Sequence, residues 1–170
     1  MSETYDVLVI GGGTGGYPAA IRAGQLGMKT ACINAWLNRD GKPAYGGTCL
    51  NAGCIPSKAL LESSEVYHKA QHEFTNHGLG FGEVTMDLAK MHPRKTTICK
   101  SLTSGIGALF KANGVTGLEG FAKLLGNGQV EFTSHAGDKK TLTAKHIIVA
   151  TGSMAVDDVV PTVATMAIGR

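Results

Sequence analysis

The start of the chain constrains the fold more than any other stretch. Residues 7–10 form a continuous apolar run of strand length, and five glycines among residues 11–16 follow it directly. Hydrophobicity without alternation is typical of a strand covered on both faces, as in a parallel sheet. Apolar residues at helical spacing then occupy 19–26, and residues 30–33 form a second short apolar run. The sequence therefore predicts a strand, a helix and a parallel strand, with the glycines at the first turn.

These glycines fit the pattern G-x-G-x-x-G at Gly11, Gly13 and Gly16. The first allows a tight turn, the second lets a pyrophosphate approach the backbone, and the third lets the helix pack closely on the strand. The alternative is a flexible loop without a ligand, but the position between a strand and a helix favours a dinucleotide site. Where this pattern expects an acid for the ribose hydroxyls, the chain has the uncharged Asn34.

A second motif lies at residues 46–58, which read G-G-T-C-L-N-A-G-C-I-P-S-K. A disulfide between Cys49 and Cys54 would close a short loop and contribute little stability, because the closure entropy is small for short loops. Pro56 fits the first turn of a helix, and Lys58 lies four residues after Cys54, on the same helix face. A helix N-terminus and a nearby cation lower the pKa of a thiol, so this setting suits thiolate chemistry.

Other interpretations of the cysteines remain open at this point. A zinc site needs a second ligand pair at a suitable spacing, and Cys32 and Cys99 stand alone. The spacing by itself leaves two interpretations open: a redox pair, or two buried thiols that have no role. His68 and His72 share a helix face, but no carboxylate-rich ligand set accompanies them. We therefore expect a solvated face there and no metal site.

Composition narrows the classes of function. The chain has 170 residues, enough for one domain, and its net charge of +3 shows no clustering that would suggest nucleic acid or an anionic membrane as partner. It has no apolar run of about 18 residues, and residues 1–6 lack the features of a signal peptide. We expect a cytoplasmic protein. Structural disulfides are rare there, which favours catalysis or metal binding for a cysteine pair.

The remainder of the chain predicts two helices and then strands. The first helix has Pro56 in its first turn and runs to about residue 70, and the second runs from about residue 87 to the Asn-Gly pair at 113–114. An antiparallel meander follows at about 115–145, with a hairpin turn at 127–128 and separate strands at 140–143 and 146–150. The last strand ends in small polar residues, at the sheet edge where open α/β sheets bind ligands.

Taken together, these motifs resemble the N-terminal part of the pyridine nucleotide–disulfide oxidoreductase family, class I, in its dihydrolipoamide dehydrogenase branch. The likeness covers roughly residues 4–153 and is most specific at 46–58; G-G-G-T-G-G-Y at 11–17 and A-T-G-S at 150–153 occur in family order. It implies a Rossmann-like FAD-binding α/β domain over residues 1–153, a parallel sheet with helices on its faces and an inserted antiparallel β-meander. Residues 154–170 depart from the family pattern.

The resemblance also implies roles for individual residues. Cys49 is expected to exchange with dihydrolipoamide, and Cys54 to be the thiolate against the flavin, with Lys58 beside the ring. Electrons would pass from the dithiol through the disulfide and FAD to NAD. By resemblance, the FAD pyrophosphate would lie at Gly11, Gly13 and Gly16, the ribose at Asn34 and the adenine at the Ala122 backbone. The flavin would lie at Gly47, Thr48, Cys49 and Lys58. The segment that closes the cofactor site would be Thr151, Gly152 and Ser153.

Partners follow from the same resemblance: lipoyl domains of 2-oxo acid dehydrogenase complexes or of the glycine cleavage system, and a homodimer. Family chains carry an NAD fingerprint and a C-terminal dimerisation domain with a His–Glu pair, and this chain has neither. We therefore expect a fragment or a shortened domain that does not complete the lipoamide–NAD reaction alone. The alternatives are an FAD-binding module without turnover and a reductase of the glutathione or mercuric type.

Overall fold

The computed structural model of the chain describes residues 3–80 and 82–153. Residues 154–170, expected to depart from the family pattern, lie outside this described part. Within it, five strands and four α-helices follow one another, with a short 3-10 turn at Phe74–His77. The elements are β1 (Glu3–Ile10), α1 (Gly16–Gln25), β2 (Thr30–Asn34), α2 (Gly47–Asn51), α3 (Cys54–His72), α4 (Leu88–Ala112), β3 (Thr116–Gly126), β4 (Gln129–Ser134) and β5 (Lys139–Val149).

The strands pair in two ways, and the pairing closes on itself. β1 lies between β2 and β5, parallel to both, and β3 continues this parallel part beside β2. β3, β4 and β5 form an antiparallel meander. Because β3 and β5 take part in both, the five strands form a closed barrel and not the open sheet that the sequence predicted.

The length of the two shared strands explains this difference. β3 and β5 have 11 residues each. One end of each strand pairs with a parallel neighbour, and the other end pairs with β4. The prediction of separate strands at 140–143 and 146–150 was therefore wrong, because one uninterrupted strand covers both. The hairpin turn at 127–128 is confirmed: Asn127 has φ 49° and Gly128 has φ 73°.

Two apolar cores explain the continuous hydrophobicity of β1. Leu8 and Ile10 point into the barrel, where they pack with residues of the meander, including Phe132. Val7 and Val9 point the other way, against the helices. The expectation of helices on both faces was wrong, because the meander supplies its own apolar residues and covers the inner face. The helical core is formed with Ala20, Ala23, Leu50, Ile106, Phe110 and Val115.

The two long helices agree with the sequence patterns. α3 begins at Cys54, so Pro56 lies in its first turn as the sequence predicted. The side chain of Asp87 accepts a hydrogen bond from the Lys90 backbone and caps α4. α4 ends at Ala112, and Gly114 follows with φ 65°. α3 and α4 pack side by side, since Arg94 of α4 donates to the Ala59 carbonyl of α3 at 3.1 Å.

The parallel strands bring several chain segments to one edge. Ile10 is in register with Ile33 of β2 and Val149 of β5, and Asn34 is in register with Glu119 of β3. Parallel strands point the same way, so the segments that leave their carboxyl ends start beside one another. The glycine-rich loop, the loop after β2 and the residues after β5 therefore meet at this edge.

Candidate functional site

The glycine-rich loop after β1 depends on close backbone contacts at two positions. Gly11 has φ 113°, and a Cβ there would collide with the Ala150 carbonyl. A Cβ on Gly16 would collide with the Gly11 carbonyl, so α1 can start against the strand only if this residue is glycine. A Cβ on Gly13 would touch only the Gly47 Cα, at 3.7 Å. The tight turn and the close helix packing that the sequence predicted are thus confirmed.

The start of α1 is the end of the helix whose dipole favours an anion. Its first residue follows the exposed Gly15, and no side chain caps its backbone N–H groups. The Gly16 and Tyr17 backbone N–H groups both donate to the Gly13 carbonyl at 3.0 Å, so the helix dipole is what favours a phosphate at this terminus. The loop and the helix start therefore fit the pyrophosphate of a dinucleotide.

The cysteine segment is attached directly to this loop. The Gly46 backbone N–H donates to the Gly12 carbonyl at 2.8 Å, and Gly13 and Gly46 form a parallel β-bridge. Gly46 and Gly47 both have positive φ, 100° and 57°, a conformation that favours glycine. The two sequence motifs, 30 or more residues apart, are thus brought into backbone contact.

The two thiols of the segment lie together. Cys49 is half-buried in α2, and Cys54 is exposed at the first residue of α3. A hydrogen bond with the Cys54 side chain is the main cause that raises the pKa of the Cys49 thiol, and burial adds to it. The charge of Lys58 acts in the opposite direction. A thiol that shares its proton with a second sulfur holds that proton more tightly.

Polar side chains that sequence reasoning missed hold the segment in shape. The Asn51 side-chain amide donates to the carbonyls of Tyr45 and Gly47, at 3.0 and 2.9 Å. The Tyr45 ring packs edge-on against Phe110 of α4, with ring centroids 4.8 Å apart. Asn51 lies inside the cysteine motif, so its position between the two cysteines was the available signal. Tyr45 had none, because its partner is far away in the sequence.

The Asn34 side chain is buried and makes a hydrogen bond within the protein. It is 3% exposed, and its side-chain amide donates to the Ala44 carbonyl at 3.0 Å. This hydrogen bond ties the end of β2 to the loop that leads to the cysteines. A Cβ on Gly12 would come within 2.8 Å of the Asn34 Oδ1 atom, so this amide also lies beside the glycine loop. Its contact with a ribose stays a prediction.

The remaining predicted residues lie around this edge. Thr48 and Lys58 are exposed, on α2 and α3, and residues 151–153 are exposed directly after Ala150, which contacts the glycine loop. Ala122 is half-buried and pairs with Phe132 of β4. It lies three residues after Glu119, the β3 residue in register with Asn34 at the sheet edge. Its backbone is thus part of the meander. Contacts of these residues with a cofactor stay predictions.

The described residues contain neither a metal cluster nor a membrane helix. No three or more His, Cys, Asp or Glu side chains of residues 3–80 and 82–153 converge in a way that could hold a metal ion. Within the same residues, no helix has the length and apolar character needed to span a bilayer. His68 and His72 lie with ring centroids 4.5 Å apart on the exposed side of α3.

Comparison with known proteins gives a consistent result. The family model described as pyridine nucleotide-disulphide oxidoreductase matches residues 5–169. Dihydrolipoyl dehydrogenase 2, mitochondrial, of Arabidopsis thaliana is 50% identical over 152 residues, which is 89% of this chain and 29% of that protein. The dihydrolipoyl dehydrogenase of Cupriavidus necator is 50% identical over 157 residues, 91% of this chain and 33% of the relative.

The human protein gives a similar picture. Dihydrolipoyl dehydrogenase, mitochondrial, of Homo sapiens is 48% identical over 149 residues, 87% of this chain and 28% of the relative. The chain therefore spans about a third or less of the length of these curated relatives. The residues 5–169 that match the family model contain both the glycine loop and the cysteine pair.

Proposed function

This chain belongs to the pyridine nucleotide–disulphide oxidoreductase family, and from that membership we propose that it is the Rossmann-like FAD-binding part of a dihydrolipoamide dehydrogenase. The observation that carries the proposal is the backbone contact between the glycine loop and the cysteine segment, at Gly13 and Gly47. It brings the glycine turn and the pair of thiols to one sheet edge, which supports a dinucleotide beside the cysteines. Relatives at about 50% identity that bear the name dihydrolipoyl dehydrogenase support the choice within the family.

The chain's own residues would bind and orient the cofactor. The uncapped N-terminus of α1 and the Gly11–Gly13 backbone would hold the FAD pyrophosphate, and Asn34 and the Ala122 backbone would lie toward the adenosine half. Lys58 would lie beside the flavin with Gly47, Thr48 and residues 151–153. When bound, FAD supplies an acceptor for an electron pair from the cysteine dithiol and passes that pair to NAD.

The sulfur chemistry can be written for the cysteines themselves. A thiolate of dihydrolipoamide attacks Cys49 of the Cys49–Cys54 disulfide, forms a mixed disulfide, and releases the Cys54 thiolate. The second substrate thiolate then attacks the substrate sulfur of the mixed disulfide and releases Cys49. Lipoamide leaves oxidised, and the pair remains reduced. The proximity of the two thiols, which share a hydrogen bond in the reduced form, supports this exchange.

The substrates and partners of the whole protein follow as part of the proposal. They are the lipoyl domains of 2-oxo acid dehydrogenase complexes or of the glycine cleavage system, NAD, and a second copy of the full-length protein in a homodimer. The NAD site is expected outside this chain. A cytoplasmic location remains a prediction, and several of the relatives are named as mitochondrial proteins.

An absorbance spectrum and a reductive titration test the proposal. The purified chain, incubated with FAD and freed of excess, should retain a flavin spectrum. Anaerobic titration of the oxidised protein with dithionite should consume four electrons, two for the flavin and two for the disulfide. The Cys54→Ser variant should consume two, and the matched Cys99→Ser variant should still consume four. Loss of all flavin on desalting would overturn the binding proposal, and two-electron uptake by the unchanged chain would overturn the redox pair.

Cofactor binding without turnover is the second candidate function. The hydrogen bond that the Asn34 amide donates to the Ala44 carbonyl favours this candidate, because the amide is then less available to a ribose. We expect the isolated chain to form no NADH from dihydrolipoamide and NAD. NADH formation by this chain alone would contradict that expectation, and two-electron uptake would support the second candidate over the first.

A further inference from the structure

A cleft lies between the loop after β2 and helix α4. It consists of two adjoining cavities of about 700 Å³ each, and both are lined by Asn38, Asp40, Lys100 and Thr103. The loop residues 36–45 form one wall and α4 the other. The corner between α2 and α3 closes one end, through Asn51, Ala52, Pro56, Ser57 and Leu60. We refer to the two cavities together as the basic cleft.

The charged residues of the basic cleft are mostly positive. Arg39, Lys42, Lys95 and Lys100 line it, and Asp40 is the one carboxylate among its lining residues. None of these four cations forms an ion pair with a carboxylate of residues 3–80 or 82–153, although six other ion pairs are present there. Four cations gathered on one cleft with a single carboxylate among them repel one another, and an anion between them would relieve that repulsion.

Neutral donors accompany these cations. The Asn38 side-chain oxygen accepts from the Trp36 indole at 3.1 Å, which directs the amide's two N–H donors elsewhere. Thr97 and Ser101 line the same cleft and make no side-chain hydrogen bond within the described residues. Thr103 and Ser104 are different, because their hydroxyls donate to the Lys100 carbonyl. Lysine, arginine and hydroxyl donors in one concave site are the groups that bind phosphate oxygens.

The size and the surroundings of the cleft indicate a small ligand. Cavities of about 300 to 1,000 Å³ are typical of small-molecule sites. Trp36 and Leu37 provide an apolar surface at one side. The lining includes no residue of the glycine loop at 11–16 and none of residues 150–153. It includes none of the residues proposed to contact FAD, but Asn51, Ala52 and Pro56 belong to the cysteine segment. The basic cleft is therefore a second site that adjoins the one proposed for FAD.

We propose that the basic cleft binds a small organic phosphate, held by Lys95, Lys100, Arg39 and Lys42. Because Ala52 and Pro56 flank Cys54 and line the cleft, the bound phosphate would lie next to the start of the helix that carries this cysteine. The proposal does not depend on the identity of the enzyme, since all its residues belong to the loop after β2, the α2–α3 corner and α4.

Inorganic pyrophosphate is the probe for a test by NMR. The ¹⁵N-labelled chain, with FAD at saturation, is titrated with pyrophosphate at constant ionic strength. We expect saturable shifts of the amide signals of Asn38, Lys100 and Thr103, with those of the glycine loop unchanged. The Lys95→Gln/Lys100→Gln variant should bind about tenfold or more weakly, as the loss of two charge-assisted contacts implies. Lys111→Gln, an exposed change on the same helix but outside the cleft, should bind as the unchanged chain does.

Several results would overturn the proposal. One is the absence of saturable shifts at the cleft residues with FAD present. Another is equal weakening in the Lys111→Gln variant, which would indicate general attraction to a basic helix. Shifts confined to the glycine loop would assign pyrophosphate binding to the dinucleotide site alone. A folded ¹⁵N spectrum of the double variant ensures that weaker binding is not loss of structure. If FAD does not bind, the same titration without it still tests the cleft.

Discussion

Gly47 touches Gly13 through the backbone: a Cβ atom on Gly47 would lie 2.9 Å from the Gly13 Cα. This contact fixes the distance between the cysteine pair and the turn that would hold a pyrophosphate. Gly46 reinforces it through its hydrogen bond to the Gly12 carbonyl at 2.8 Å. Neither glycine motif could shift without moving the other, so backbone contacts hold the two halves of the proposed site together.

The first prediction concerns Gly47→Ala. It combines a positive φ of 57° with a backbone collision, and should lower the free energy of unfolding by about 2 kcal/mol or more. Gly41→Ala has φ 74° but open space, and should cost about 1 kcal/mol. Gly105→Ala, exposed in α4, should stabilise the chain by about 1 kcal/mol. Urea denaturation measures all three, and a Gly47→Ala cost no larger than that of Gly41→Ala would contradict the contact.

The second prediction concerns the hydrogen bond between the two thiols. Removal of the Cys54 side chain should lower the pKa of the Cys49 thiol toward its ordinary value, since this hydrogen bond is the main cause of the raised pKa. Near pH 8, more of Cys49 would then be thiolate, and iodoacetamide should modify it several-fold faster in Cys54→Ala. Cys54→Ser, which keeps a hydrogen-bonding group, should fall between. Peptide mass spectrometry resolves the sites, with Cys99 as the internal reference whose rate stays constant.

The third prediction concerns Asn34. Asn34→Asp removes the donor to the Ala44 carbonyl and places a carboxylate in a buried site beside an acceptor, which should cost about 3 kcal/mol of stability. Asn113→Asp is the matched control, because its amide also donates to a backbone carbonyl, at 2.8 Å, but in an exposed bond. That change should cost about 1 kcal/mol or less. Equal losses in the two variants would show that Asn34 contributes little as a tie to the loop.

The sequence predicted the local parts of this arrangement and missed the distant ones. Strand β1, the glycine turn and helix α4 follow from hydrophobic spacing and capping residues that lie within each element. The partner of Asn34 is a backbone carbonyl ten residues away, and any residue can supply one. The sharing of β3 and β5 between two kinds of pairing is equally non-local. The rise in the Cys49 pKa was missed because it depends on how the two thiols orient, which their spacing does not specify.

The fourth prediction concerns stability at acid pH. Lys145 pairs with Asp6 at 2.7 Å, and with the Lys29 backbone N–H it holds the pKa of Asp6 below its ordinary value of 3.8. A lowered carboxyl pKa stabilises the fold above the unfolded value, and this contribution is lost as the pH falls through the folded value. The melting temperature of Asp6→Asn should therefore be lower than that of the unchanged chain at pH 6, and the gap should shrink below about pH 4.

A gap that stays constant from pH 6 to pH 3 would contradict the prediction. Asp138→Asn provides a comparison, because Asp138 is exposed and takes part in no ion pair of the described residues. Its variant should follow the acid transition of the unchanged chain. Differential scanning calorimetry at several pH values supplies both curves.

The closed pairing of the strands has a consequence for how the chain is made. β1 pairs with β5 along its length, and the Lys140 ammonium donates to the Glu3 carboxylate at 3.0 Å, although the two residues are 137 positions apart in the sequence. Contacts between such remote positions form slowly, since the chain must lose the entropy of closing a long loop before these contacts stabilise it. On the ribosome, the first strand would wait with one side unpaired until the last strand emerges. The barrel thus becomes complete only after β5 has emerged, and a chaperone that shields β1 would have its greatest effect before then.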